Sequence, residues 1–262
     1  MRKLGILGLG HMGMAIARGA VSYLNPDEIA VYDRHPEKQS TAEALGVRCT
    51  DSPQQLCAEA ECIVVAVRPQ NFAETIQQLK EGKPSAILSV IAGLPMRKFT
   101  EQLGELPVIR AMPNTPLQEG EGATALCHND ICSEALFQWA IDLFASMGCA
   151  YAITEDQMCS IIAVNGSSPA YFYYLIECML KDAVARGIDE TVARSLLVQT
   201  MIGSGVLLQK QADKPVGQFV DEVCSKGGTT IEAISVLKAH DLETIIQEAD
   251  DACIRRAEEL GK

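Results

Sequence analysis

The sequence predicts an α/β chain in two parts: an N-terminal Rossmann-like, doubly wound and mainly parallel sheet, followed by an all-helical domain. Three observations carry that expectation. Short β-branched runs alternate with helical stretches up to about residue 153, as in a parallel sheet covered on both faces. The first run ends in Gly8-Leu9-Gly10-His11-Met12-Gly13, a G-x-G-x-x-G lying between a strand and a helix. After Thr154 the strand pattern stops and apolar residues recur at helical spacing. A chain of 262 residues suits two ordinary domains, expected at 1–154 and 155–262.

In order, β-branched runs give strands at 4–7, 29–32, 63–67, 86–90, 108–111, 123–126 and 150–153. Between them, helices are expected to start near Met12, Pro36, Pro53, Asn71, Met96 and Ser133. The second half carries helices at about 169–186 and 189–209, then a last one whose mostly apolar face holds Ile245, Ile246, Ala249, Ala252, Cys253, Ala257 and Leu260. Gly203-Ser204-Gly205 falls inside the second of these, where each glycine costs about 1 kcal/mol relative to alanine. Either another helix backbone comes close there, within or between subunits, or the pair is a local irregularity.

Composition narrows the function classes. Hydrophobic residues make up 48% and charged ones 21%, enough for a sizeable core. The net charge of −12 is spread along the chain and repels phosphate backbones, so no nucleic-acid partner is expected. The ten cysteines form no C-x-x-C, which argues against a metal site. They read as small core residues of a reduced, cytoplasmic protein. The basic, apolar start meets charged or glycine-rich sequence too soon for a signal peptide. The uncharged stretch 157–176 has Asn165, Gly166, Ser167, Ser168 and Pro169 at its centre, which argues against a membrane span.

The glycine turn implies a dinucleotide. Gly8 permits the tight turn, Gly10 lets the backbone approach a pyrophosphate, and Gly13 lets helix and strand pack closely. His11 reads as a solvated loop histidine near the phosphates. Asp33 follows Gly13 by 20 residues, where a carboxylate accepts bonds from a ribose and favours NAD. The next residue, Arg34, suits a 2′-phosphate and favours NADP. Both remain open at this point.

Four more segments extend the pattern: Ala66-Val67-Arg68-Pro69, Arg110-Ala111-Met112-Pro113-Asn114-Thr115-Pro116, Asn165-Gly166-Ser167-Ser168-Pro169-Ala170-Tyr171 and Ser225-Lys226-Gly227-Gly228-Thr229-Thr230-Ile231-Glu232-Ala233. With the glycine turn they cover nearly the whole length, and in this order the chain resembles pyrroline-5-carboxylate reductase. The resemblance implies a cytoplasmic homodimer or assembly of dimers, interlocked through the helical domain, with the active site at the dimer interface. It implies reduction of 1-pyrroline-5-carboxylate to L-proline with NADPH or NADH, the last step of proline biosynthesis. Gly8, Leu9, Gly10, His11, Met12, Gly13, Asp33, Arg34, Ala66, Val67, Arg68, Pro69 and Ala92 are then expected at the cofactor. Ser225, Gly227, Gly228, Thr229 and Thr230 are expected at the substrate. This chain departs from the family at Arg68, where Lys is more common, at Ala163 and Asn165, where Gly and Ser are more usual, at Lys226 in place of Pro, and at Asp33, where many NADPH-preferring members are neutral.

The implied chemistry is hydride delivery to a C=N carbon. A protonated imine is already electrophilic, so positioning dominates. Backbone N–H groups of Gly227, Gly228 and Thr229 at a helix start suit a carboxylate, and Thr230, by its motif position, hydrogen-bonds the ring nitrogen. On spacing alone, Gly-Gly-Thr-Thr before a helix reads as an ordinary N-cap. Pro113, Asn114 and Pro116 read as a rigid turn or as a loop over the nicotinamide. A β-hydroxyacid dehydrogenase needs a proton donor for the alkoxide, commonly a lysine, and none stands between Glu155 and Lys181. A related imine reductase and a non-catalytic NAD(P)-binding sensor would also suit a chain of this plan.

Overall fold

The computed structural model describes residues 2–261. Its eight strands form one sheet in the order β3-β2-β1-β4-β5-β6-β7-β8. These are β1 (Arg2–Leu7), β2 (Ile29–Tyr32), β3 (Arg48–Cys49), β4 (Ala60–Val65), β5 (Ile87–Ser89), β6 (Val108–Met112), β7 (Gly122–His128) and β8 (Gly148–Ala152). The first six are mutually parallel. β7 runs antiparallel to β6, and β8 follows β7 in parallel. β3 is an addition to the expected strands, pairing only through Arg48 and Cys49.

Six helices connect this sheet: α1 (His11–Ala20), α2 (Pro36–Glu43), α3 (Pro53–Glu59), α4 (Phe72–Gly82), α5 (Arg97–Leu103) and α6 (Glu134–Ala145). Pro36 and Pro53 open α2 and α3, where a missing N–H costs nothing and the fixed φ favours the first turn. Ser52 and Ser133 cap α3 and α6 by accepting the N–H groups of Gln55 and Leu136. Strand side chains alternate between two apolar layers. Ile6, Val31, Val64 and Ile109 pack with Ile16 and Phe144 on one face. Ile63, Val65, Ile87 and Val108 pack with Leu56, Leu79 and Phe99 on the other.

The chain divides into two compact units. One runs to Pro169 and resumes at Cys253; the other is Ala170–Ala252. The boundary expected at 154/155 therefore lies within the first unit, because the segment after β8 packs on the sheet. Met158 and Ile162 of that segment join the layer containing Met112 and Cys127. Nη1 of the buried Arg110 lies 3.7 Å from Glu155 Oε1, which also accepts the Met96 N–H at 2.6 Å. Residues Ile162–Ser167 form a π-helical turn, a rare geometry that recurs at functional sites.

The second unit draws on α7 (Ser168–Ala185), α8 (Glu190–Lys210), α9 (Val216–Val223), α10 (Thr229–Ala239) and α11 (Leu242–Leu260). Its large apolar side chains are largely uncovered, among them Tyr174, Leu196 and Ile202. Exposed apolar side chains in such number suit an association face. Among the described residues one helix, α8, is long and apolar enough to cross a membrane. A Cβ at Gly203 or Gly205 would meet nothing within 4 Å, so the close helix approach considered for them is not made among the described residues.

The cysteines are free, and the buried ones behave as core. Burial pushes the Cys57 thiol up to about 11 and, with help from nearby Cys132, that of Cys62 to about 12. Among the described residues no cluster of histidine, cysteine and carboxylate groups is arranged to hold a metal ion.

Candidate active site

The carboxyl ends of β1, β2 and β4 open into a cleft of about 280 Å³, the edge at which parallel sheets take ligands. Of the residues expected at the cofactor, Gly8, Gly10, Asp33, Arg34, Ala66, Val67 and Arg68 line it. Gly8 has φ +96, and a Cβ there would approach the Ala66 carbonyl oxygen at 2.9 Å. A Cβ at Gly13 would collide with the Gly8 carbonyl. By contrast, Gly10 has nothing within 4 Å of that direction. The turn is thus compressed where helix meets strand and open where a pyrophosphate would approach. Gly10 is the N-cap of α1, with no side-chain cap, so the first-turn N–H groups stay available to an anion. These features fit a dinucleotide.

Six expected contacts stand differently. Leu9 is buried in the core, 3% exposed, and Gly13 acts through packing. His11 is exposed and Met12 half-buried, and neither lines the cleft. Pro69 lines a separate groove with Phe72 and Leu94. Ala92 is half-buried outside the cleft; beside it Gly93, at φ +77, is pressed against the Ala257 carbonyl of α11.

Asp33 lines the cleft and is also bonded within the turn. It is only 6% exposed. Its Oδ2 accepts the Leu9 N–H at 2.7 Å and its Oδ1 the His35 N–H at 3.0 Å. Lys38 Nζ stands 3.4 Å from Oδ2. Burial alone would raise the carboxyl, but the two N–H groups and the ammonium outweigh it and hold Asp33 below the usual carboxylate range. The carboxylate therefore staples the glycine turn to the end of β2 while still lining the cleft.

Arg34 beside it is freer. Arg34 Nη1 is 3.3 Å from Glu74 Oε2, with both side chains 56% exposed. Exposed pairs of this sort contribute about 0–1 kcal/mol, so Arg34 can exchange its partner at little cost. His35 and Lys38 also line the cleft, as do Asn71, Thr75 and Gln78. The sequence reading missed these. For Lys38 a signal existed, since a helix starting at Pro36 turns its third residue back over Asp33.

In the second unit, Gly227 has φ +74 and Gly228 is the N-cap of α10, again without a side-chain cap. Thr229 and Thr230 are thus the first two helical residues, and neither threonine is the cap. The Gly228 N–H donates to the Ser225 carbonyl at 2.9 Å, which removes it from the donors expected for a carboxylate. Ser225, Lys226 and Gly227 are exposed.

Residues 155–260 match the family model for pyrroline-5-carboxylate reductase dimerisation, and residues 3–93 match that for NADP oxidoreductase, coenzyme F420-dependent. The pyrroline-5-carboxylate reductase of Escherichia coli (strain K12) is 32% identical over 100% of this chain and 99% of its own. The structure of Plasmodium falciparum pyrroline carboxylate reductase with NADP bound superposes with a TM-score of 0.90 at 29% identity, covering 100% of this chain and 98% of that one. That of 1-pyrroline-5-carboxylate reductase from Streptococcus pyogenes gives 0.88 at 31% identity, covering 98% of each chain. The chain belongs to the pyrroline-5-carboxylate reductase family.

Proposed function

We propose that this protein reduces 1-pyrroline-5-carboxylate to L-proline, one hydride going to the C=N carbon and one proton to the ring nitrogen. The observation that carries the reading is the pair of glycine-capped helix starts, at α1 and α10, in a chain matched end to end by reductases of that name. When bound, the nicotinamide nucleotide supplies the hydride. Gly8, Gly10 and the start of α1 hold the pyrophosphate, and Ala66, Val67 and Arg68 border it. The N–H groups of Gly227 and Thr229, with Ser225 beside them, hold the substrate carboxylate, and the Thr230 hydroxyl orients the ring nitrogen. An ordinary threonine is too weak an acid to be the main proton source, so water delivers the proton.

The preferred nucleotide is NADPH. Asp33 is tied into the glycine turn and to Lys38, whereas Arg34 puts a positive charge at the rim of the cleft with only the exposed Glu74 as partner. Residues 1–154 form the dinucleotide-binding part and residues 155–262 the substrate and dimerisation part, of which the stretches up to Pro169 and from Cys253 on belong to the compact unit of the former. The uncovered apolar helices support a homodimer through the latter and give α8 a partner other than a membrane. The free cysteines support a cytoplasmic location.

Purified protein given NADPH and pyrroline-5-carboxylate should oxidise the nucleotide only when the imine is present. No imine-dependent oxidation of NADPH or NADH would discard the reading. Arg34→Ala should weaken NADPH binding roughly tenfold and leave NADH binding unchanged; unaltered selectivity would remove Arg34 from the 2′-phosphate.

A further inference from the structure

Asn165 sits in the π-helical turn Ile162–Ser167 and is only 8% exposed. Its Nδ2 donates to two main-chain carbonyls, Met112 O at 2.7 Å and Ala123 O at 2.8 Å. Both neighbours are acceptors, so the amide nitrogen must face them. Met112 ends β6 and Ala123 lies at the start of β7. From the other side, Asn114 Oδ1 accepts the Ala123 N–H at 2.9 Å, and Asn114 is also buried. Two buried amides thus grip one residue and close the ends of the Met112-Pro113-Asn114 turn. That turn leaves the carboxyl end of β6, on the same sheet edge as the glycine turn. A dinucleotide anchored at β2 and β1 and running across β4 brings its other end to β5 and β6.

We propose that Asn165 is a positioning residue for hydride transfer: by holding Met112 O and Ala123 O, its amide sets the turn after β6 that borders the nicotinamide end of the dinucleotide. The inference rests on the reductase reading and adds to it a residue that departs from the family's usual serine. An alanine removes both donors. A serine restores one, and an aspartate turns a carboxylate toward two carbonyl oxygens.

The experiment uses full-length Asn165→Ala, Asn165→Ser and Asn165→Asp proteins. Hydrogen exchange in the nucleotide-free protein should be faster in Asn165→Ala across residues 112–125, with the rest of the sheet unchanged. Affinity for adenosine 2′,5′-bisphosphate, which lacks the nicotinamide, should stay within about twofold of the wild type. Turnover should fall between about 10-fold and 100-fold, with a larger primary isotope effect from deuterated NADPH. Serine should recover part of the loss, and aspartate should fall below alanine. Wild-type exchange and turnover in Asn165→Ala would overturn the inference. So would a parallel loss of turnover and bisphosphate affinity, which marks general unfolding. If Asn165→Ala does not fold, Asn165→Ser decides on the same readouts. An inactive wild type would overturn the reductase reading and this inference with it, whereas an active wild type beside an unaffected variant overturns only the inference.

Discussion

The helices α1 and α10 begin alike and are held differently. Each is capped by a glycine without a side-chain cap and follows a glycine of positive φ, Gly8 before α1 and Gly227 before α10. The helices α3, α6 and α8 instead close their first turns with Ser52, Ser133 and Asp189. A capped start satisfies its own donors, and an uncapped one leaves them to water or a ligand. The difference between the two open starts lies in their surroundings. At α1 the turn is clamped by Gly13 against Gly8 and by Asp33 against Leu9. At α10 a Cβ on Gly227 would meet nothing within 4 Å, and the turn rests on a bond from Gly228 to Ser225. The first is a rigid cradle. The second is closed only locally, by Gly228 packed and hydrogen-bonded against Ser225.

The largest test of the clamp is Gly13→Ala, whose methyl would be driven into the Gly8 carbonyl. It should weaken NADPH binding by at least about 100-fold and cost about 3 kcal/mol in stability, read by titration and urea unfolding. Unaffected binding would end the idea of a compressed cradle. Gly10→Ala separates space for the ligand from space for the fold. Gly10 has an ordinary φ of −69, so stability should change by no more than about 0.5 kcal/mol while nucleotide affinity falls at least about tenfold. An equal effect on both would show that the open side of the turn serves folding.

At the second start, Thr230→Ala should lower turnover about tenfold with nucleotide affinity unchanged; a matching loss of affinity would make the hydroxyl structural. The smallest effect belongs to Asp33→Asn, which keeps one acceptor and should cost about 1–2 kcal/mol at neutral pH. The folded-state pKa of Asp33 is depressed, so its contribution is complete above the ordinary value near 4 and is lost as pH falls through the lower folded value. The stability gap between wild type and variant should therefore narrow in acid. A gap that persists unchanged there would show that the carboxylate is not the staple.

Where structure rests on local pattern, the sequence made it legible. The glycine turn and the six helix starts of the sheet domain depend on spacing and propensity within a few residues, and they fall within one residue of expectation. β3 was missed because two residues cannot display an alternation. The eight-residue α9 was missed because it is short and opens behind Pro215 within a polar stretch. Asp33 was visible as a residue, but its partners were not, since the Leu9 bond spans 24 positions. Asn165 stood out only as a departure from the family, because its acceptors lie 53 and 42 positions away. Long-range hydrogen bonds leave no periodic trace, so bonding at the site was the less readable part.

The reversal of β7 and β8 determines how the chain leaves the sheet. β8 delivers it to the rim opposite the cleft, yet Asn165 must be back at the cleft side to reach Met112 and Ala123. Residues 153–165 make that return while their Met158 and Ile162 roof the strands beneath. A stretch with both ends and its middle committed has no slack to absorb extra length. Insertions that surface loops elsewhere would accommodate should here either lift the roof or draw the amide out of register, so this short passage has little freedom to change its length.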